Sequence, residues 1–380
     1  MNKKAWIGIV MVVVGFLIAV NVLQSCSKKG RTISVGAVFP LAGDNAVFGV
    51  PQRNAAQLAV DEINADGGVL GKQLVLVVED DAGQAKTATL AAQKIIADKN
   101  LVAVVGHPNS GCAIPASKIY YEAGVPFVTS TATNPTLTDQ GYENVFRFAP
   151  TDDMQGFSIA EFICNKLGHQ SVVLLHDNGA YGKGIEGNVK LRFTDLGGRV
   201  LLEDAIDPKA LDFKQVLLKI KQLSPPVVFY GGMLPEGARL VRQAKQVGLE
   251  AVFVFGDGCY DETFVELAGT DCRNVYISFL AAPADQMESA KAFYGRYKAR
   301  FGDQPSFFAP YAYDAISVIA DAIGKASSSD RAAIIRELHQ PTYVFDGVTG
   351  PIRFNDKGQS TDRSFYFYTF DEHGKLVLAK

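Results

Sequence analysis

Residues 101–130, LVAVVGHPNSGCAIPASKIYYEAGVPFVTS, give the clearest indication of the fold class. The segment LVAVVGH is a short apolar run, CAIPASKIYYEAG has the length and composition of a helix, and VPFVTS is a second apolar run. Strands that are apolar almost throughout, and that alternate with helices, are typical of a parallel sheet covered by helices on both faces. This stretch therefore predicts an α/β fold.

The same alternation extends on both sides of this stretch. Before it lie the strands TISVGAVF and KQLVLVVEDD and the helices GVPQRNAAQLAVDEINAD and QAKTATLAAQKIIADKN. After it, the helix TDDMQGFSIAEFICNKLG, which Thr151 or Asp152 would cap, opens a second series with strands SVVLLHD, GRVLLEDAI, PPVVFYGG and EAVFVFGD. Two such series predict two doubly wound, parallel-sheet units.

The length of 380 residues also favours two lobes, because single cores rarely grow so large. Helices at 285–340 follow the second series, and the late strands GPIRFND and SFYFYTFDEHGKLVL close the chain. We expect the chain to cross between the lobes three times, near 148–152, 279–283 and 345–351. Three crossover strands between two lobes make a hinge beside a cleft that can close.

These crossings divide the chain into two discontinuous lobes. The first lobe is expected to contain residues 32–148 and 281–345, and the second 149–280 and 346–380.

The N-terminus predicts export. Two lysines precede an apolar run, and the segment ends in Leu-Gln-Ser-Cys at residues 23–26, which resembles a bacterial lipobox. We expect residues 1–25 to be a lipoprotein signal peptide, Cys26 to carry lipid, and 26–31 to form a tether. The alternative is an uncleaved membrane helix. Both place the soluble part outside the cytoplasm, anchored to a membrane.

Composition excludes some classes of function. A net charge of -3 and the absence of a basic patch give no reason to expect nucleic acid as a partner. No C-x-x-C or His-rich spacing indicates a metal site, and no cofactor is expected.

The cysteines suggest one disulfide. In an oxidising compartment, Cys259 and Cys272 are close enough in sequence to pair, whereas Cys112 and Cys164 are expected in different lobes and unpaired with each other.

Several motifs in fixed order resemble one family over residues 32–375. They include VGAVFPLAGDNAVFG, VVGHPNSGCAIPAS, TSTATNPTLT, LLHDNGAYGKG and VVFYGGMLPEGARLVRQAKQVGL. The chain is similar to the periplasmic branched-chain amino acid-binding proteins of ABC importers, the leucine/isoleucine/valine-binding type. The resemblance implies a type I periplasmic-binding fold, a monomer, a free amino acid as ligand, and ABC permease subunits as partners.

Hydroxyl groups crowd behind the strand VPFVTS. By the resemblance, Ser110 binds the ligand carboxylate at a helix N-terminus, although an ordinary Ser N-cap is the alternative. The resemblance also places Thr131, Ala132 and Thr133 in the ligand site. The Thr131 carbonyl would accept from the ammonium group, and the Thr133 hydroxyl and N–H would bind the backbone end of the ligand. Thr129 and Ser130 are expected to be structural.

Asp257 is the expected counter-ion for the ammonium group, from the second lobe. An Asp-Gly turn is the alternative use of this dipeptide. The pairs Asp80-Asp81 and Asp152-Asp153 are interpreted as strand-end turns and helix capping, and His107 as a turn residue.

The resemblance also names the walls of a side-chain pocket. These residues are Phe48, Pro108, Asn109, Tyr181 and Met233, with aromatic residues of SFFAPYAY nearby, and core packing is the alternative for each aromatic. None of these residues is charged, so a neutral ligand is expected.

Two classes of function remain. One is a solute receptor that delivers an apolar L-amino acid to a permease. The other is a tethered sensor, or a binder of another small solute such as an amide or an aromatic acid. No constellation of catalytic residues is present, and the chain is not expected to be an enzyme.

Overall fold

The computed structural model describes residues 32–269, 271–281, 288–360 and 364–379. The predicted signal peptide, the lipidation candidate Cys26 and the tether lie outside the described residues. Within the described part of the chain, no helix is both long and apolar enough to cross a membrane.

A five-stranded parallel sheet forms the first lobe. Its strands are β1 (Thr32–Phe39), β2 (Gln73–Asp80), β3 (Leu101–Gly106), β4 (Phe127–Thr129) and β5 (Val145–Arg147). Their order is β2-β1-β3-β4-β5. The central strands β3 and β4 are buried along their whole length because helices cover both faces, which explains their continuous apolar sequences.

Helices alternate with these strands as predicted. They are α1 (Ala46–Ala65), α2 (Ala85–Ile95), α3 (Ser110–Glu122) and the short α4 (Thr136–Asp139).

The second sheet has seven strands. They are β6 (Ser171–His176), β7 (Arg199–Ala205), β8 (Val227–Gly231), β9 (Val252–Phe255), β10 (Val275–Phe279), β13 (Tyr366–Phe370) and β14 (Leu376–Leu378). Their order is β14-β13-β10-β9-β8-β6-β7, and β6 to β10 are parallel.

Five helices accompany these strands. They are α5 (Asp152–Glu161), which continues into a π-helical turn (Phe162–Lys166), α6 (Ala180–Asp195), α7 (Lys214–Leu223), α8 (Leu234–Val247) and the short α9 (Phe264–Ala268). The two sheets with their helices confirm the predicted α/β fold.

The end of the chain differs from the expected single strand. The segment SFYFYTFDEHGKLVL forms the antiparallel hairpin of β13 and β14. Asp371 makes the turn, because its carboxylate accepts from the backbone N–H groups of His373 and Lys375, both at 2.9 Å, and Gly374 adopts a φ of +76°.

Three later helices pack on the first lobe. They are α10 (Glu288–Phe301), α11 (Ala309–Lys325) and α12 (Arg331–Leu338). The mostly buried α11 lies against α1, and Arg331 of α12 donates to the carbonyl oxygens of Leu101 and Ala123.

The third crossing begins later in the chain than the sequence suggested. Residues 346–360 were assigned to the second lobe, but a small hairpin, β11 (Phe345–Gly347) with β12 (Gly350–Ile352), packs on α11. Downstream of the hairpin, the N–H of Arg147 donates to Gly358 O at 2.8 Å and the N–H of Ser360 donates to Arg147 O at 2.9 Å. This segment therefore contacts the first lobe before β13 joins the second.

Asp314 of α11 anchors this hairpin. It is fully buried, and its carboxylate accepts from Val348 N at 2.9 Å, Thr349 N at 2.8 Å and Thr349 Oγ1 at 2.6 Å. Hydrogen bonds to a buried carboxylate are among the stronger ones in proteins, and truncation leaves the donors without an acceptor.

We expect Asp314→Ala to lower the free energy of unfolding by about 1–3 kcal/mol, because three donors of the half-buried hairpin turn lose their buried acceptor. Urea denaturation followed by circular dichroism measures the change. Asp303→Ala, which removes an exposed carboxylate, is the control and should change stability by less than about 0.5 kcal/mol. Equal stability of both variants would contradict the anchoring role.

Candidate functional site

The cleft between the lobes contains a cavity of about 50 Å³ beyond the carboxyl ends of the strands. In doubly wound folds this is where ligands bind. Residues from both lobes line it: Phe48, Gln52, Pro108, Asn109, Ser110, Thr131, Thr133, Tyr181, Met233, Asp257, Gly258 and Phe308.

The structure brings nine of the ten predicted ligand-binding residues to this one cavity. The exception is Ala132, which packs in the core of the first lobe. The carbonyl oxygen of Ala132 accepts from Nη1 of Arg147 at 3.3 Å, so it is directed toward the buried guanidinium.

Ser110 is placed to donate a hydrogen bond into the cavity. It is the first residue of α3, and Asn109 occupies the N-cap position, so the interpretation of Ser110 as an N-cap is wrong. Its Oγ accepts from the backbone N–H of Asn134 at 3.2 Å. Because that contact uses an acceptor site, the hydroxyl proton stays available for an anion, which the positive end of the helix dipole also favours.

The other hydroxyl groups behind β4 divide into two groups. Ser130 Oγ donates to Gln52 Oε1 at 2.7 Å, and Thr129 Oγ1 accepts from Ala132 N at 3.2 Å; both residues are fully buried away from the cavity. Thr131 and Thr133 line the cavity. After β4, the chain therefore directs Thr131 and Thr133 into the cleft, whereas Thr129 and Ser130 make hydrogen bonds inside the first lobe.

Asp257 and Tyr181 form the polar wall of the second lobe. Asp257 lies in a short 3-10 turn after β9, and its Oδ1 accepts from the Tyr181 hydroxyl at 2.7 Å. The same hydroxyl accepts from Gly258 N at 3.1 Å. Tyr181 thus orients the carboxylate as well as lining the pocket.

Burial raises the pKa of Asp257 to about 6, although the hydrogen bond from Tyr181 acts in the opposite direction. At neutral pH the group is an anion with little access to water, since its exposed fraction is 4%. Such a carboxylate is stabilised by a cation that enters the cavity.

Asp152 is a second buried carboxyl group near the site, and the sequence did not indicate its placement there. It is the first residue of α5, and Thr151 rather than Asp152 is the N-cap. Burial raises the pKa of Asp152 well above the usual range, and the negative charge of Asp257 raises it further. The hydrogen bond from the Thr133 hydroxyl and the positive charge of Arg147 lower this pKa. The proximity of Asp152 to Asp257 means that a cation in the cavity would favour ionisation of both groups.

Three further lining residues were not predicted by name. Gln52 lies one turn after Phe48 on α1, and the i, i+4 spacing was the available signal. Phe308 belongs to the stretch SFFAPYAY and contacts the Phe48 ring edge to face, with centroids 6.0 Å apart. Gly258 must be small, because a Cβ atom there would lie 2.6 Å from the Gly232 carbonyl oxygen.

A buried triad supports the loop that carries Ser110. His107 has a left-handed φ of +44°, and its ring nitrogens lie 2.8 Å from Asp81 Oδ2 and from the Tyr120 hydroxyl. Asp81 Oδ1 accepts from Gly83 N at 2.9 Å, which is a strand-end turn as expected. His107 is therefore a turn residue whose ring fixes the start of the binding loop.

The predicted disulfide is not formed. Cys259 is a buried free thiol whose Sγ lies 3.7 Å from the Gly232 carbonyl oxygen, facing α8 rather than Cys272. Among the residues described, no cluster of His, Cys, Asp and Glu could hold a metal ion.

Comparison with known proteins identifies the family. A family model described as periplasmic binding protein matches residues 32–375. The chain belongs to this family. Its relatives include Leu/Ile/Val-binding protein BraC3 of Rhizobium johnstonii, which is 35% identical over 348 residues and covers 92% of this chain and 94% of that protein.

Two more members extend the comparison. The leucine-, isoleucine-, valine-, threonine-, and alanine-binding protein of Pseudomonas aeruginosa is 34% identical over 362 residues, covering 95% of this chain and 96% of its own. The branched-chain amino acid transporter substrate binding protein LivJ of Streptococcus pneumoniae, solved in complex with isoleucine, is 31% identical with a TM-score of 0.83, covering 92% of this chain and 100% of its own.

These relatives confirm the type I periplasmic-binding fold and the resemblance drawn from the motifs. As a periplasmic binding protein the chain is extracytoplasmic, and its relatives are binding proteins by name, which confirms the expectation that it is not an enzyme.

We expect Tyr181→Phe to raise the pKa of Asp257 above about 6 by roughly one unit, because the charged carboxylate loses a hydrogen-bond donor. Carbon-13 NMR of labelled aspartate carboxyl groups measures the titration, and Asp257→Asn assigns the signal. Tyr121→Phe, at an exposed tyrosine of α3, should leave that titration unchanged. An unshifted pKa in Tyr181→Phe would refute the orienting role.

Proposed function

We propose that this protein captures a neutral, branched-chain or otherwise apolar L-amino acid in the cleft and delivers it to an ABC permease. One observation carries the proposal: Ser110 of the first lobe and Asp257 of the second lobe line the same cavity. An amino acid is a zwitterion, so its site needs donors for a carboxylate and an acceptor for an ammonium group close together.

The carboxylate end of the ligand is assigned to the first lobe. The hydroxyl of Ser110 donates to it, the N-terminus of α3 adds a favourable dipole, and Thr133 completes the set. Ser110 keeps its orientation because Asn134 N–H occupies its acceptor site.

The ammonium end is assigned to Asp257, with the Thr131 carbonyl oxygen on the opposite side. A charge-assisted hydrogen bond of this kind contributes about 1.5–3 kcal/mol. Because the cation also neutralises the carboxylate that burial destabilises, the ammonium group and Asp257 stabilise each other in the closed cleft.

The remaining wall is mostly apolar. Phe48, Pro108, Met233 and Phe308 face the space left for a side chain, and Asp257 is the charged residue among those that line the cavity. Burial contributes about 0.8 kcal/mol per methylene, which ranks leucine, isoleucine and valine above alanine. The names of the relatives agree with this ligand class.

The tether and the partners belong to the same proposal. We infer that residues 1–25 are removed, that Cys26 carries lipid, and that the monomeric protein meets its permease at the membrane surface. The lipobox-like sequence and the membership of the family support this organisation.

A tethered sensor for the same ligand would use the same cleft, and coupling to transport distinguishes the two functions. An aromatic acid or an amide is a poorer fit to the cavity. Such a ligand has no cation to place beside Asp257, so the buried carboxylate would remain uncompensated.

Calorimetric titration of residues 27–380, refolded to remove carried-over ligand, tests the proposal. We expect saturable binding of leucine, isoleucine or valine, and a loss of affinity of at least about 10-fold in Asp257→Asn and in Ser110→Ala. Ser117→Ala, a buried serine of the same helix that does not line the cavity, is the control and should bind normally. Binding only of ligands that lack an α-ammonium group would reject the amino acid as ligand.

Affinity should also fall at acid pH. Below a pKa of about 6 the carboxyl group of Asp257 is neutral in the free protein, so a bound ammonium group must first displace its proton. We expect the dissociation constant to rise about tenfold per pH unit below 6 and to be level between 7 and 8. Asp257→Asn should bind more weakly at neutral pH and lose most of this dependence, and a wild-type affinity that is constant down to pH 4.5 would contradict the assignment.

A further inference from the structure

Asn134 joins elements of both lobes although it does not line the cavity. Three of its contacts lie in the first lobe: its N–H donates to Ser110 Oγ at 3.2 Å, its carbonyl oxygen accepts from Arg147 Nη1 at 2.6 Å, and its Oδ1 accepts from Thr136 N at 3.0 Å. The fourth crosses the cleft, because Nδ2 donates to the carbonyl oxygen of Ala180 at 2.7 Å. All its polar groups are used.

The facing surface of the second lobe is shaped for this contact. Ala180 is the first residue of α6, and Gly184 lies one turn further along. A Cβ atom at Gly184 would collide with Nδ2 of Asn134 and would lie 3.0 Å from Oδ2 of Asp152. The lobes can approach this closely because the helix has no side chain at that point.

We propose that Asn134 is the residue that latches the closed cleft, and that it links closure to the group that holds the ligand carboxylate. The inference rests on the proposed function, because Ser110 is the residue through which ligand and latch are connected. Ser110 donates its proton to the ligand and accepts from Asn134, so a bound carboxylate fixes the hydroxyl that holds the backbone of Asn134.

Arg147 makes the latch rigid on the side of the first lobe. Its guanidinium is fully buried. Nη1 donates to the Asn134 carbonyl oxygen, and Nη2 donates to the Thr138 hydroxyl at 2.9 Å. Nε donates to Gln359 Oε1 at 2.5 Å. Gln359 lies just before the third crossing, so one guanidinium connects the binding loop to the hinge. The amide of Asn134 therefore presents its donor in a fixed direction when α6 approaches.

The hydrogen bond from Asn134 to Ala180 joins the lobes only where the cleft is closed, since its two partners are on opposite lobes. It therefore shifts the equilibrium between open and closed states toward the closed one, which must open before the ligand leaves. Weakening it should act on the dissociation rate, whereas the association rate, which depends on the open state, should change little.

The variant Asn134→Asp tests the latch with almost no change of shape. The carboxylate keeps an acceptor for Thr136 N but places an oxygen against the Ala180 carbonyl oxygen. We expect the dissociation rate of leucine, isoleucine or valine, whichever binds most tightly, to rise by at least about tenfold while the association rate stays within about threefold. Stopped-flow tyrosine fluorescence measures both rates, and small-angle scattering with saturating ligand should show a larger radius of gyration than for the wild type.

Two further variants separate latching from general weakening of the lobe. Asn144→Asp is the matched control, because Asn144 Nδ2 also donates to a carbonyl oxygen, that of Val125 at 2.6 Å, but within the first lobe. It should lower the melting temperature and leave the dissociation rate unchanged. Gly184→Ala, which alters only the second lobe, should reproduce the fast dissociation of Asn134→Asp.

A wild-type dissociation rate in Asn134→Asp would overturn the latch while the proposed function stands. An equal acceleration in Asn144→Asp would also overturn it, because the effect would then be one of lobe stability. If the wild-type protein binds none of the three amino acids, the proposed function fails and the latch fails with it.

Discussion

The cleft depends on one constraint, the burial of the Asp257 carboxylate, for which the described part of the chain supplies no cation. Asp257 is nearly inaccessible to water, and burial raises its pKa to about 6, so its negative charge at neutral pH is costly. Tyr181 and the backbone of the turn offset part of this cost. The rest is recovered when a ligand brings a positive charge, and this gives a closed cleft with a bound ammonium group an advantage over a closed empty one.

The positive charge of Arg147, which acts on the neighbouring Asp152, is itself committed to structure. Arg147 is fully buried, and burial lowers its pKa to about 10 while Asp152 acts in the opposite direction. Its donors hold the binding loop at Asn134 and the third crossing at Gln359. The guanidinium therefore fixes the geometry of the loop and its attachment to the hinge, and Asp257 remains for the ligand.

Most of the fold could be predicted because it depends on local pattern. Apolar runs such as LVAVVG and helical segments such as GVPQRNAAQLAVDEINAD indicated their elements correctly. The third crossing could not be placed, because it depends on contacts between residues far apart in sequence, such as Asp314 with Val348 and Arg147 with Gln359. A local sequence pattern does not indicate which distant acceptor will bind the backbone of a loop.

The site shows the same division between motif and environment. The resemblance supplied Ser110, Thr133 and Asp257, which the structure brings to one cavity, but it gave no indication that Asp152 is buried beside them. An acidic residue at a helix start usually serves the helix dipole, and only the packing of α5 under the binding loop gives this one another environment. The cysteines make the converse point: a short spacing permits a disulfide, but Cys259 is a free thiol whose Sγ lies beside the Gly232 carbonyl oxygen. The direction and burial of a side chain depend on the whole fold, and these two properties decide which residues can contact a ligand.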